Sequence, residues 1–391
     1  MREVVILSAV RTAVGRFGGS FVDVPATELG AAVIRESVKR SGLEPSDIQE
    51  CIMGICLPAG VGQNPARQAA ILAGLPVEIG AFNINKLCGS GLKSVMLAAS
   101  AIRAGEHEVI VAGGMENMSA APYLLKKARW GYRLNDDKVI DHLIHDGLFD
   151  SMSGILMGVT GEIVAERYGV VREEADLLSY ESHVKAHAAA ESGRFDAEIL
   201  PIKVKGRKGA VDMKVDEGVR QDVSLEGLAK LKPCFKEGGM VTPGNSSQIS
   251  DGAASLVVAS REFADARGIE PMATIVDYNT GGVKPELIME APIPTVRALF
   301  KRTGTTISDI DLFEHNEAFA TASVAVRREL EVPREIFNVN GGAVAIGHPI
   351  GASGARVLTT LLYAMKDRKA RTGLATLCLG GGNAVAMMVR M

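Results

Sequence analysis

Two glycine-bound turns, 260 positions apart, constrain this chain of 391 residues more than anything else in it. In the first, Asn85-Lys86-Leu87-Cys88-Gly89-Ser90-Gly91 leads into a helical pattern over Leu92–Ala104 and then into Val109-Ile110-Val111-Ala112-Gly113-Gly114. In the second, Gly347-His348-Pro349-Ile350-Gly351-Ala352-Ser353-Gly354 leads into another helical pattern, then Ala375–Leu379 and Gly380-Gly381-Gly382. Each copy places a reactive residue at a Gly-rich turn, then a helix, then a strand ending in glycines. The chain therefore reads as two related α/β halves. Further buried-strand runs at Val4–Leu7 and Cys51–Cys56, alternating with helix patterns such as Thr27–Arg40, imply sheets covered by helices on both faces. Asn64-Pro65 reads as an N-cap and first helical residue, opening a helix through Leu72.

Composition agrees. Glycine supplies 43 residues, about 11% against a usual ~7%, and aromatics only 5%, which favours close backbone approaches over an aromatic binding surface. The formal charge is −3 and no basic face is visible, so a nucleic-acid role is excluded. Five scattered cysteines (51, 56, 88, 234 and 378) form no CxxC pair, which argues against a disulfide framework or zinc knuckle and fits a reducing compartment. No apolar run approaches a membrane span of ~20 residues. The expectation is a soluble cytoplasmic protein.

The middle differs in character. From 119 to 248 the chain carries most of its charge clusters, its only tryptophan (Trp130) and four of its seven histidines. Helix patterns at Val159–Tyr168 and Arg172–Ser192 precede Lys203–Lys214, which has five basic residues and one acidic. This region reads as an insertion, with 1–118 plus 249–270 as one half and 271–391 as the other.

Among residues that could carry chemistry, Cys88 enters a helix, where free amides and the positive helix end are expected to lower its pKa. Gly89 and Gly91 would let a substrate approach the sulfur. A lone cysteine is more often a buried structural residue; the glycine frame and its partners reverse those odds. His348 is the best general-base candidate, held by flanking glycines in a tight turn before a helix; as a phosphate cradle its run fits neither the dinucleotide nor the P-loop spacing. Cys378 ends an apolar strand, and Asn316 could orient a water or serve as a helix cap. His183 and His187 have metal-pair spacing but no third ligand, so an exposed helix face is expected there.

Along its entire length the sequence resembles the thiolases. The resemblance is carried in order by Val10–Gly19, Gly62–Ala69, Asn85–Gly91, Gly244–Ala253, Asn316–Ala320, Asn340–Gly354 and Cys378–Gly382. It implies the thiolase fold, two similar α/β halves in a five-layered αβαβα core, with an inserted loop domain covering coenzyme A. It also implies roles. Cys88 would be the acylated nucleophile, activated by His348, and Cys378 the acid/base at the substrate's α-carbon. Asn316 would hold a water that, with His348, binds one thioester oxygen; the N–H groups of Cys88 and Gly380 would bind the other. Ser247 matches a position that bonds the pantetheine chain, and Leu148, Met157, Phe235, Ala318 and Phe319 match tunnel positions. Arg220 and Lys203–Lys208 are candidates to face the nucleotide phosphates.

The implied reaction is reversible and ping-pong, 3-oxoacyl-CoA plus CoA giving acyl-CoA and acetyl-CoA, with no metal or bound cofactor. Its partners are acyl-CoA, acetyl-CoA and CoA. Cys378 before the glycine triplet argues against a decarboxylating 3-oxoacyl synthase, which lacks that cysteine. The presence of Cys88, His348 and Cys378 together argues against a non-catalytic homologue. Departures from the family pattern are Leu156 where short-chain members often have histidine, Gly227, Pro243, His315 beside the water site, and Asn383-Ala384 after the triplet. Cys-Gly-Ser-Gly resembles the acetoacetyl-CoA type, while Ser246-Ser247-Gln248 leans toward longer-chain members. The resemblance further implies a homotetramer, a dimer of dimers.

Overall fold

The computed structural model describes residues 2–206 and 209–391. Strand β1 (Val4–Thr12) is buried at all nine positions, as an apolar run covered on both faces must be. Helix α1 (Ala26–Arg40) crosses to β2 (Glu50–Gly54), and α2 (Pro65–Ala73) to β3 (Gly80–Ile84). The α2 entry follows its sequence signals: the Asn64 side chain accepts the Arg67 N–H at 3.0 Å, and Pro65 takes the first helical position. Then come α3 (Ser90–Ala104) and β4 (Val109–Asn117). After an excursion containing α4 (Met157–Tyr168) and α5 (Arg172–Glu191), the chain returns as β5 (Ser250–Ser260) and β6 (Ala273–Gly282). It ends with α6 (Pro292–Thr303), β7 (Leu312–His315), α7 (Ala320–Glu329), α8 (Ser353–Arg368), β8 (Thr372–Leu379) and β9 (Asn383–Arg390).

The strands run in the order β7-β8-β9-β6-β1-β5-β4-β2-β3. Two short pairings, Val5 with Thr274 and Ile6 with Ala273, join β1 to β6 at the centre. On one side of that seam the pairings are antiparallel (β1–β5, β5–β4) and then parallel (β4–β2). On the other they are antiparallel (β6–β9, β9–β8) and then parallel (β8–β7). The two halves thus repeat one topology. The further parallel strand β3 has a counterpart only in the isolated bridge of Phe313 with Phe337.

Helices α3 and α8 lie between the halves. Their Leu92, Val95, Leu358 and Leu361 share one core with Ile6 and Leu256 of the first half and Leu377 and Met387 of the second. The outer face of the first half packs on α1 and α2, that of the second on α6 and α7. This gives five layers, αβαβα. The two central helices touch backbone to backbone, because a Cβ on Gly91 would sit 2.7 Å from Ala355 N and one on Gly354 would sit 2.2 Å from Leu92 N. Packing between helices therefore requires Gly91, and a Cβ on Gly89 would strike Leu379 at 2.6 Å. Packing therefore gives both glycines a requirement beyond the expected one of substrate approach.

The segment between β4 and β5 is tied to the first half by a buried cation. Arg11 on β1, fully buried, donates to Glu198 at 2.5 Å and to Asp216 at 2.7 and 3.0 Å. Losing one partner of such a set strands a buried charge and costs about 3–5 kcal/mol. The basic stretch forms a hairpin, Ile202–Gly206 with Gly209–Met213; Arg207 and Lys208 lie outside the described residues. His183 is not on an exposed face as expected: it is 3% exposed, and its Nδ1 accepts the Arg220 N–H at 3.1 Å. Burial first, then the Arg220 charge, lowers it to about 4, so it is a neutral packing histidine.

Candidate active site

The nucleophile candidate sits on a strained turn. Leu87, just before Cys88, has φ +49°, a conformation that costs energy for a branched residue and persists only where surroundings hold it. Here they do. Asn85 Oδ1 accepts the Leu87 N–H at 2.9 Å, and Ser90 Oγ accepts from Lys86 N at 2.8 Å while donating to Leu87 O at 2.7 Å. The turn delivers Cys88 into a small apolar cluster with Cys56, Leu57, Met118 and Ile350.

The glycine triplet after β8 closes on this turn. Gly380 must lack a side chain, since a Cβ there would lie 2.4 Å from Leu87 Cδ1. The Cys88 backbone N–H and, less strongly, that of Gly380 pull the thiol toward thiolate, as the helix-entry argument anticipated. Burial nevertheless outweighs them and pushes the thiol up to about 12. The expected lowered pKa is therefore corrected: Cys88 rests as a thiol and needs a base at the moment of attack. Cys378, on β8 and 2% exposed, is raised to about 12 by burial and then by the nearness of Cys88. Its Sγ lies 3.6 Å from Met289 Sδ.

His348 meets the requirement for that base. Its backbone N–H donates to Ser250 Oγ at 3.1 Å and Gln248 O at 3.2 Å, fixing the turn before α8. Burial, with the Arg356 charge behind it, lowers the ring to about 3, so the imidazole is neutral and can accept a proton. The hydrogen-bond network assigns the tautomer. Ser353 Oγ lies 2.6 Å from His348 Nδ1 and donates its one proton to Pro349 O at 2.8 Å. Ser353 can then only accept from Nδ1–H, which leaves Nε2 as the ring's acceptor, facing the Asn316 amide nitrogen. The Asn316 amide nitrogen lies 3.3 Å from both ring nitrogens, and Arg356 Nη2 donates to Asn316 Oδ1 at 3.4 Å. His315, next to Asn316, is turned into the packing. Its Nδ1 lies 2.9 Å from Ser323 Oγ and its ring stacks on Phe337.

A cavity of ≈ 290 Å³ opens onto His348. Of the residues matched to ligand positions, Leu148, Met157, Ser247, Phe235 and Phe319 line it, with Leu156 making the wall apolar where histidine is frequent. Phe235 and Phe319 meet edge to face, centroids 6.2 Å apart. Ala318 is buried beneath and accepts the Ser247 N–H at 2.9 Å, and Arg220 is exposed and outside the lining. The elements of the site come from both halves and the excursion between them. Motif reading did not single out Ser353 or Arg356, although both lie within a turn or two of His348 in the sequence. Nor did it find Glu116 or Met289, which have no local signature.

The N-terminal thiolase domain family matches residues 4–262, and the C-terminal thiolase domain family matches 269–391. The chain is a thiolase. It is an acyltransferase accordingly, working on coenzyme A thioesters. It is 51% identical over 392 residues to an acetyl-CoA acetyltransferase of Syntrophomonas wolfei, covering 99% of each chain. It is also 51% identical to one of Cupriavidus necator, over 100% of this chain and 99% of that one. A probable acetyl-CoA acyltransferase of Staphylococcus aureus is 49% identical, again over 100% and 99%. The crystal structure of the Bacillus anthracis acetyl-CoA acetyltransferase superposes with a TM-score of 0.98 at 43% identity, over 100% of this thiolase and 99% of that chain.

Proposed function

We propose that this thiolase is an acetyl-CoA C-acetyltransferase, acting through an acyl group carried on Cys88. The observation that carries the proposal is a neutral His348 facing an apolar cavity, with Cys378 near enough to Cys88 to feel its charge and Gly380 packed on the turn that presents Cys88. In thiolysis the Cys88 proton passes to His348 Nε2 as sulfur attacks the 3-oxo carbon. The oxyanion formed there is held by the N–H groups of Cys88 and Gly380, and the thioester oxygen, which takes up charge as the carbanion forms, by the water on Asn316 with His348, each hole worth about 3 kcal/mol. The Cα–Cβ bond then breaks, and Cys378 supplies a proton to the carbanion of departing acetyl-CoA. In the second half-reaction coenzyme A gives its thiol proton to the Cys378 thiolate and takes the acyl group, and the departing Cys88 sulfur recovers its proton from His348. The reaction uses acyl-CoA, acetyl-CoA and CoA and calls for no resident cofactor.

A second reading, a longer-chain degradative thiolase, is favoured by a different observation. A cavity of ≈ 540 Å³ lies against Leu87 and Gly380 and shares Met157 with the first, more space than an acetyl group fills. Thiolysis across 3-oxoacyl-CoA substrates of increasing length separates the two. The proposal expects kcat/KM to be highest for acetoacetyl-CoA and to fall about tenfold or more with length. Rates that hold or rise with length overturn it in favour of the longer-chain reading.

The quaternary proposal is a homotetramer. Strand β3 is an open sheet edge bearing exposed Phe82, a template for pairing with a second copy. A second apolar group, Tyr123, Leu125, Trp130 and Leu134, is exposed on the excursion after β4, as a further contact between dimers would require. Light scattering at micromolar concentration should give four chains, and a monomer there would sink the proposal. The cytoplasm is the compartment we assign, supported by five free thiols. No helix among the described residues is long and apolar enough to cross a membrane.

A further inference from the structure

The chemistry above leaves one buried acid unused. Glu116, near the end of β4, is fully buried and forms no ion pair among the described residues. Its carboxylate instead accepts three backbone N–H groups from two separate segments. Oε2 takes those of Cys56 at 2.9 Å and Gly351 at 2.8 Å, and Oε1 takes that of Leu57 at 3.1 Å. Gly351 belongs to the turn that carries His348, and a Cβ there would sit 2.6 Å from Glu116 Oε2. Cys56 belongs to the wall of the nucleophile: its Sγ lies 3.7 Å from Ser90 Oγ, the same hydroxyl that braces the strained turn at Leu87. A single carboxylate thus joins the base turn to the segment whose Cys56 side chain meets the nucleophile turn.

We infer that Glu116 is a positioning residue for the thiolase reaction, setting the placement of the His348 turn against the wall that holds Cys88. The inference rests on the roles proposed for those two residues. Holding an acid here is not the most stable arrangement of this core. Burial pushes its carboxyl up to about 7 against the pull of the three N–H bonds, and well-packed apolar groups at buried charged positions are often as stable or more so. No apolar side chain, however, supplies two oxygens to three donors on two segments. Position in the nucleophile–base pair is unforgiving: a displacement of ~1 Å costs about 100-fold in rate.

The test compares Glu116→Gln and Glu116→Asp with the full-length enzyme, each rate divided by the number of sites that acylate with acetyl-CoA. Glutamine keeps the shape but turns a donor toward at least one of the three backbone donors. Aspartate keeps the charge but is one methylene too short to reach both segments. The expected result is kcat per acylatable site down about tenfold in Glu116→Gln and about 100-fold in Glu116→Asp, with KM for acetoacetyl-CoA and CoA within about threefold. A purely structural role would lower the fraction of acylatable enzyme and leave kcat per site unchanged, and that outcome overturns the inference. The decision rests on Glu116→Gln, which changes one atom, should the shorter side chain fail to fold. Cys88→Ala serves as the control: if it remains active, the reading of the site fails, whereas an inactive Cys88→Ala beside an unimpaired Glu116→Gln overturns the positioning role alone.

Discussion

Cys88→Ala abolishes turnover, with a fall in kcat of at least about 10⁴-fold, while binding of coenzyme A survives. The size of the effect follows from geometry. Four other thiols exist, but none replaces this one. Cys51 and Cys56 are buried in the first half, Cys234 is exposed on the excursion, and Cys378 sits at the strand end with its sulfur against Met289. Cys88 alone follows the strained turn at Leu87, on which Gly380 packs. Binding is spared because the ≈ 290 Å³ cavity is built from Leu148, Met157, Ser247, Phe235 and Phe319, which do not change. Intact-protein and peptide mass spectrometry after exposure to acetyl-CoA should place one acetyl group on Cys88 of the unmodified enzyme and none on the variant. Acetylation found on Cys378 or Cys234 instead would reverse the assignment.

Cys378→Ala separates the two halves of the chemistry. The variant should still form acyl-Cys88 to full stoichiometry, because His348 Nε2 and the Gly380 N–H are untouched. Thiolysis and exchange of the acetyl-CoA methyl protons with deuterated water should fall by about 10³-fold, the loss of a positioned acid/base. Stability should change little, since alanine keeps the Cβ and vacates only one sulfur at a site 2% exposed, a cost of about 1 kcal/mol. Mass spectrometry reads the first step and NMR the exchange. Turnover within tenfold of the unmodified enzyme would mean that another group handles the α-carbon proton.

Much of this was legible in the residues. The repeated unit of reactive turn, helix and glycine-ended strand foretold two matching halves, and the halves do share one order of antiparallel and parallel pairings. Periodicity and caps located α2 and α3 closely, because those signals are local. Local signals misled where the environment reversed their sign. The helix entry argued for a thiolate at Cys88, and the two N–H groups are indeed there, but desolvation is the larger effect and only the packed molecule reveals it. The lack of a third ligand near His183 and His187 suggested a solvated face, yet the excursion folds the Arg220 backbone onto His183.

By itself, then, the sequence determined the elements, their duplication and the identity of the reacting side chains, since these depend on near neighbours and on turn chemistry. Tertiary structure alone decided the states those side chains occupy. Ser353 accepts the proton of His348 Nδ1, burial raises both thiols and lowers the base, and Glu116 joins the His348 turn, 235 residues further on, to the Cys56–Leu57 segment. Each of these is a property of desolvation or of a contact between distant segments, and neither exists until the two halves close on one another.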